Sequence, residues 1–180
     1  SINNFKLKGQ YIKNIEKYVA EKVAEKKIIG RFDGRMEYGP RALGNRSILA
    51  DPTDVTINDW LNKRLRRTEW MPFAPIILDK YASNFYINYE KGKYPAQFMT
   101  ITFNTTREAK KAKAVVHVDN TTRPQVVSKN QNPKCYKILE EYRKITGLPL
   151  FVNTSFNIHE EPIVCSPNDA IKSFLQNTSD

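Results

Sequence analysis

The sequence predicts an α+β or irregular α/β sandwich, and three observations carry that. Helical and extended patterns are mixed along the chain. The extended segments are not separated regularly by helices, which disfavours a regularly alternating parallel-sheet fold. The 180 residues also contain 40% apolar and 11% aromatic side chains, enough for one domain with a real core.

The elements follow in order. Residues 10 to 27 carry Ile12, Ile15, Val19 and Val23 at helical spacing, with Lys and Glu on the other face. Ile28, Ile29 and Phe32 predict a short strand that ends at Asp33-Gly34. A loop follows through Gly39-Pro40 to Gly44, and four of the seven glycines fall between Gly30 and Gly44. Asp54 or Thr56 is placed to cap a helix running to about Arg66. MPFAPIIL predicts an extended, buried stretch, because each proline pushes its predecessor out of the helical region. AQFMTITFN and AVVHVD predict strands from their β-branched content. Asn120-Thr121-Thr122 predicts a turn, and PQVV continues extended. Asn132-Pro133 opens a helix through about Thr146, with Gly147 as its stop. LPLFV predicts a buried strand leading into the loop NTSFN, and Ser166-Pro167 starts a last helix.

Charge narrows the partners. The chain has 29 Lys+Arg against 19 Asp+Glu, a formal net charge of +10. Seven of the ten arginines are Arg31, Arg35, Arg41, Arg46, Arg64, Arg66 and Arg67, in a stretch whose one lysine is Lys63. A guanidinium grips phosphate or carboxylate with two hydrogen bonds. The cluster therefore points to anion recognition, with surface ion pairs as the alternative. No apolar run reaches the roughly 18 residues a membrane helix needs. No secretory h-region reads from the first residues. Cys135 and Cys165 form no CxxC, which fits a reducing, cytoplasmic compartment. Two histidines, His117 and His159, are too few for a His-rich metal site.

Four segments could carry chemistry. GRMEYGPRALGNRSILADP (34–52) joins glycines to Arg35, Arg41, Arg46 and Glu37. It can clamp an anion, or be a tight loop whose arginines hold Glu37 and backbone carbonyls. It matches neither GxxxxGK[ST] nor GxGxxG. In NKRLRRTEW (62–70), Lys63 and Arg67 share a helical face, while Arg64 and Arg66 point elsewhere. In HVDNTTRPQ (117–125), His117 and Asp119 would alternate on a strand, and Arg123 follows a turn. NTSFN (153–157) sets Asn153, Ser155 and Asn157 just after a buried strand, where open sheets bind ligands.

EYGPRALGNRSILADP, EWMPFAP, MTITF, HVDNTTRPQ, TGLPLFVNTSFN and EEPIVCSPNDAI occur in this order. Together they resemble the C-terminal domain of carbamoyltransferases of the nodulation-protein NodU and cephamycin type, from about Gly30 to the last residue. The resemblance implies a YrdC-like twisted mixed sheet flanked by helices over 30–180, with 1–29 as a helix leading into it. It implies a domain excised from a two-domain enzyme. Its missing N-terminal partner would be of the actin-like ATPase class and hold an iron-type metal. It implies that the domain binds ATP, with Mg, and carbamoyl phosphate. It would form carbamoyl adenylate for the missing domain to transfer to an acceptor hydroxyl.

By similarity, Lys63, Arg67 and Arg123 would carry the catalytic electrostatics. Arg41, Arg46, Arg64, Arg66, Asn153, Ser155 and Asn157 would bind nucleotide or carbamoyl phosphate. The choice among Lys63, Arg64, Arg66 and Arg67 stays open: many relatives have Lys-x-Arg-Glu near here, and Arg where this chain has Met71. A basic RNA-binding module and a non-catalytic interaction domain are the other classes. RNA binding would need basic residues interleaved with exposed aromatics.

Overall fold

The computed structural model describes residues 5–65, 73–158 and 160–178. Helix α1 is Ile15–Ala24, followed by strands β1 (Ile29–Phe32) and β2 (Arg46–Ala50), helix α2 (Thr56–Arg64) and strand β3 (Ala74–Leu78). Next come a short helix α3 (Ala82–Phe85) and strands β4 (Phe103–Asn104), β5 (Thr121–Thr122) and β6 (Gln125–Val127). Helix α4 (Pro133–Thr146), strand β7 (Leu150–Ser155) and helix α5 (Pro167–Thr178) complete the chain. The main sheet has the order β1-β2-β7-β3-β6 and is mixed: only β3 and β6 run parallel. β4 and β5 form a separate two-stranded sheet.

Strand alternation divides the core in two. Ile48, Ala50, Ile77, Val126, Leu150 and Val152 join one cluster with Leu61, Phe85, Tyr86 and Phe103. Leu49, Ile76, Leu78, Val127 and Phe151 join the other with Val19, Val23, Ile138, Leu139 and Tyr142. Both faces of the sheet are thus covered, and all five residues of β2 and of β3 are buried. Because Val19 and Val23 sit in the second cluster, α1 is built into the same core as α4.

The helix signals hold where their caps are specific. α4 begins at Pro133 behind Asn132, whose side chain accepts from Cys135 N, and ends at left-handed Gly147 (φ 79°). α2 starts at Thr56, where Asp54 Oδ1 accepts from the Thr56 amide at 2.9 Å. α1 is shorter than its apolar pattern, because Asn14 stands at its start and left-handed Lys26 (φ 65°) follows its end.

Two strand expectations are corrected. Within AQFMTITFN, Pro95–Phe98 is a 3-10 turn and only Phe103–Asn104 is strand. In place of AVVHVD there is the 3-10 turn Lys113–Val115. Buried Ala109, Ala112 and Ala114 let this segment pack closely without a ladder. His117 and Asp119 therefore do not alternate on a strand. Asp119 Oδ1 accepts from the Thr121 amide and hydroxyl, and Asn120 is left-handed (φ 61°), which makes a turn. β2, within the main sheet, went unread because only Ile48-Leu49-Ala50 mark it. Among the described residues no helix is long and apolar enough to cross a membrane.

One polar network ties helices α1 and α4 to the sheet. Asp51 is 6% exposed. Its Oδ1 accepts from Lys26 Nζ (2.5 Å) and Thr53 N (2.9 Å), and its Oδ2 accepts from Tyr142 OH (2.6 Å). Burial pushes this carboxyl upward, but the bonds from Lys26, Thr53 and Tyr142 outweigh it and hold the group below its ordinary value. Its folded pKa is therefore depressed. Its stabilisation is complete above the unfolded value of about 3.9 and is lost as pH falls through the folded pKa. Asp51→Asn is expected to cost about 1–3 kcal/mol at neutral pH. It should also flatten the acid limb of the stability curve, as urea denaturation between about pH 3 and pH 7 would read. An unchanged acid limb would remove Asp51 from the acid-sensitive groups.

Candidate functional site: an anion-binding cavity

The loop from Asp33 to Asn45 lies over one end of the sheet, and buried side chains hold it there. Glu37 Oε1 accepts from Leu43 N (2.8 Å) and Asn45 N (2.6 Å). Ser47 Oγ accepts from Gly44 N (2.9 Å), and Gln125 Nε2 donates to Leu43 O (2.7 Å). Asn153 Nδ2 donates to Ala42 O (3.0 Å) and to Gln125 Oε1 (2.8 Å). Ala42 O can only accept, so the orientation of this amide is fixed chemically. Arg31, 8% exposed, donates to Gly44 O and to Asp33 Oδ2, whose other oxygen takes Lys134. Gly44 has φ 111°, and a Cβ there would meet Cys135 Sγ at 3.1 Å. Only glycine fits that turn without strain.

This scaffold separates the arginines by role. Arg46 is 4% exposed and serves the fold. Its Nη1 donates to Asp33 O (2.9 Å) and its Nη2 to Gly34 O (3.2 Å), and it lies 3.6 Å over the Phe32 ring. Arg35 and Arg41 are both exposed on the loop, and of the two only Arg41 reaches the cavity described next. It lines a cavity of about 90 Å³ with Arg123, Asn153, Ser155 and Met99. The pairings Ser47↔Ser155 and Ala74↔Asn153 place this cavity at the C-terminal end of β7 and the N-terminal end of β3. The tight-loop reading of the glycine-rich segment holds in part: Arg46 holds backbone carbonyls, but Glu37 is held by backbone amides and not by an arginine.

Arg41 and Arg123 have no ion pair or hydrogen bond among the described residues, and no carboxylate lines the cavity. Burial first, and the like charge of Arg41 second, lower the Arg123 guanidinium from its ordinary value. A guanidinium stays protonated in proteins, so among the described residues the cavity holds two adjacent cations with no carboxylate beside them. Asn153 is 1% exposed, and its Oδ1 has no partner among the described residues. The two guanidiniums offer donors to an anion, and Asn153 Oδ1 offers an acceptor to an N–H or O–H group.

The other expected residues lie elsewhere. Asn157 Nδ2 donates to Ile158 O (3.1 Å) and Glu161 O (2.8 Å), so it shapes its own loop and does not line the cavity. Lys63 is exposed on α2 and also stays outside it. Arg64 stacks 5.3 Å from the Trp60 ring and lines a separate cavity with Ile28, Phe156 and Phe174. Arg66 and Arg67 lie outside the described residues, as does His159. His117 Nδ1 sits 3.1 Å from Thr121 Oγ1, and its pKa is lowered by burial, so it is neutral at pH 7. Gln125 and Met99 were missed. A buried glutamine in PQVV carried only a strand signal, and Met99 sat inside a supposed strand. Among the described residues no group of three potential metal ligands is present.

The fold is an irregular α/β domain with a cavity lined by two guanidiniums, and comparison with known proteins gives its family. The family model described as carbamoyltransferase C-terminus matches residues 20–180, and the chain belongs to this family. It is 44% identical over 160 residues to nodulation protein NolNO of Sinorhizobium fredii, covering 87% of this chain and 23% of that one. It is 39% identical over 142 residues to nodulation protein U of the same species, covering 78% and 25%. A Methanocaldococcus jannaschii protein is 38% identical over 97% of the chain, which spans 33% of that protein. The chain thus spans about a third or less of these relatives.

Solved structures agree on the fold. Full-length HypF in its phosphate- and nucleotide-bound form superposes with a TM-score of 0.65 at 21% identity, over 89% of this chain and 23% of that one. A Sua5 variant of P. abyssi gives 0.60 at 11%, over 93% and 48%. The mixed five-stranded sheet flanked by helices is of this YrdC-like type.

The division of labour among the arginines is testable without ligand. Arg46→Ala should destabilise the domain by roughly 2–4 kcal/mol, since it strands buried carbonyls and unstacks Phe32. Arg123→Ala should change stability by no more than about 0.5 kcal/mol, because it removes a cation beside a like charge. Chemical denaturation of both variants reads the split. Equal losses would contradict it.

Proposed function

We propose that this domain binds ATP and carbamoyl phosphate at the Arg41–Arg123 cavity, where water releases inorganic phosphate from carbamoyl phosphate and the resulting carbamate attacks the α-phosphate of ATP, forming carbamoyl adenylate and releasing pyrophosphate. A further domain of the longer protein then transfers the carbamoyl group to an acceptor hydroxyl. The observation that carries this reading is the pair of guanidiniums that, among the described residues, have no carboxylate partner and line one cavity with Asn153 and Ser155 at the end of β7. Membership of the carbamoyltransferase C-terminus family supports it. So does the fold shared with a HypF structure that holds phosphate and nucleotide.

The chemistry suits these residues. Adenylation builds negative charge on the α-phosphate and on the departing pyrophosphate, and catalysis of such a step is mostly positioning and electrostatic stabilisation. Arg41 and Arg123 supply fixed positive charge where that charge grows. Ser155 adds a hydroxyl that can donate to phosphate, and Asn153 Oδ1 adds an acceptor for a ligand N–H, such as that of a carbamoyl group. No residue is asked to act as nucleophile. At about 90 Å³ the cavity is far smaller than the roughly 300 Å³ at which drug-sized pockets begin. It therefore receives a group no larger than carbamoyl phosphate, with most of the nucleotide outside it. The lining has no carboxylate and does not form a Mg site; a Mg ion arriving with ATP would be held by its phosphates and water. In this reading Lys63, Arg64, Arg66 and Arg67 remain candidates for contacts outside the cavity.

Each charge-assisted contact to phosphate contributes about 1.5–3 kcal/mol, or roughly ten- to a hundredfold in affinity. Arg123→Ala should reduce carbamoyl-phosphate-dependent exchange of pyrophosphate into ATP by about that factor, measured in the full-length protein. Ser155→Ala should reduce it by a smaller factor with unchanged folding. Wild-type exchange in both variants would refute the assignment. Tighter binding of an RNA oligonucleotide than of ATP would move the domain to the nucleic-acid class.

A further inference from the structure

The cavity has two unlike walls. Arg41, Arg123, Asn153 and Ser155 form one, while Pro40, Ala42, Phe73, Ala74 and Met99 contribute apolar surface. Met99 is the long flexible side chain among the apolar residues. It is 5% exposed, yet it belongs to neither of the two hydrophobic clusters that make the core. Among the described residues, this buried apolar side chain serves the wall of a charged cavity and neither main cluster.

Its backbone is also unusual. Met99 is left-handed (φ 55°, ψ 35°) at the end of the 3-10 turn Pro95–Phe98. Thr100 Oγ1 donates to Pro95 O at 2.9 Å and braces the turn from the other side. A non-glycine residue held in this region is strained, and such strain concentrates at ligand-binding positions. Glycine would satisfy the turn more easily but would leave the apolar wall open.

We propose that Met99 sets the size of the acyl group that this cavity admits beside the two arginines. The inference rests on the reading of the cavity as an acyl-phosphate site. With Met99 in place, the space of about 90 Å³ accepts a phosphoryl group carrying a group as small as carbamoyl. Shortening Met99 opens the apolar wall and admits longer acyl chains. An apolar pocket discriminates by roughly ten- to two-hundredfold per methylene-sized change, so the effect is measurable.

The test uses the full-length protein and Met99→Ala and Met99→Gly variants, titrated calorimetrically with inorganic phosphate, carbamoyl phosphate, acetyl phosphate and butyryl phosphate. Wild type should bind the small acyl phosphates and reject butyryl phosphate. Both variants should improve the butyryl-to-carbamoyl affinity ratio at least about tenfold while keeping the affinity for inorganic phosphate. Met99→Gly should also melt above Met99→Ala, because only glycine relieves the left-handed backbone. An unchanged ratio with phosphate still bound would overturn the role of Met99 and leave the cavity assignment standing. Failure of wild type to bind any of the four anions would overturn both. A ratio that rises only together with loss of inorganic phosphate binding would assign Met99 to general integrity of the site and overturn the specificity role.

Discussion

The site depends on one constraint: a loop that crosses the end of a sheet must have its backbone polar groups satisfied. Between Ala42 and Asn45 that is done almost entirely by side chains. The amides of Leu43, Gly44 and Asn45 go to Glu37, Ser47 and Glu37, and the carbonyls of Ala42, Leu43 and Gly44 receive Asn153, Gln125 and Arg31. Arg31, Ser47, Gln125 and Asn153 come from β1, β2, β6 and β7, and Glu37 from the loop itself. The loop is therefore as rigid as the sheet beneath it, and Arg41 is carried to a defined place.

Rigidity has an electrostatic consequence. Two like charges facing a small cavity repel, and a free loop would relax by moving Arg41 into water. The stapled loop fixes the backbone next to Arg41, so the exposed Arg41 side chain starts from a defined place beside Arg123. Preorganised charge of this kind needs no reorganisation as negative charge develops. Gln125 is the side chain on which the arrangement converges. It contacts the loop at Leu43 and β7 at Asn153, and it lies two residues after Arg123.

Much of this was legible in the sequence, for physical reasons that differ by element. α4 and α5 were readable because Asn132-Pro133, Gly147 and Ser166-Pro167 are local signals. β3 and β7 were readable as continuous apolar runs, as strands buried on both faces should be. β2 was hidden because Arg46 and Ser47, polar residues serving the loop, occupy its first half. The segment from 95 to 119 misled because its β-branched residues pack through 3-10 turns between small alanines. The chemistry of the site was legible in kind, since Arg41, Arg123, Asn153 and Ser155 all came from motifs that stood out. Their sorting was not. Nothing local distinguishes Arg46, spent on backbone carbonyls, from Arg41, five residues earlier and free of them. Asn157 likewise shares a motif with Ser155 but turns to Glu161.

The central claim is that the anion site exists before the anion arrives. Hydrogen exchange at the amides of Leu43, Gly44 and Asn45 in the free protein tests it most directly. The account predicts that all three exchange slowly, at rates close to those of β2 and β7. Adding pyrophosphate should change them little. Exchange at the rate of an open loop in the free protein, with protection appearing only on adding pyrophosphate, would contradict it.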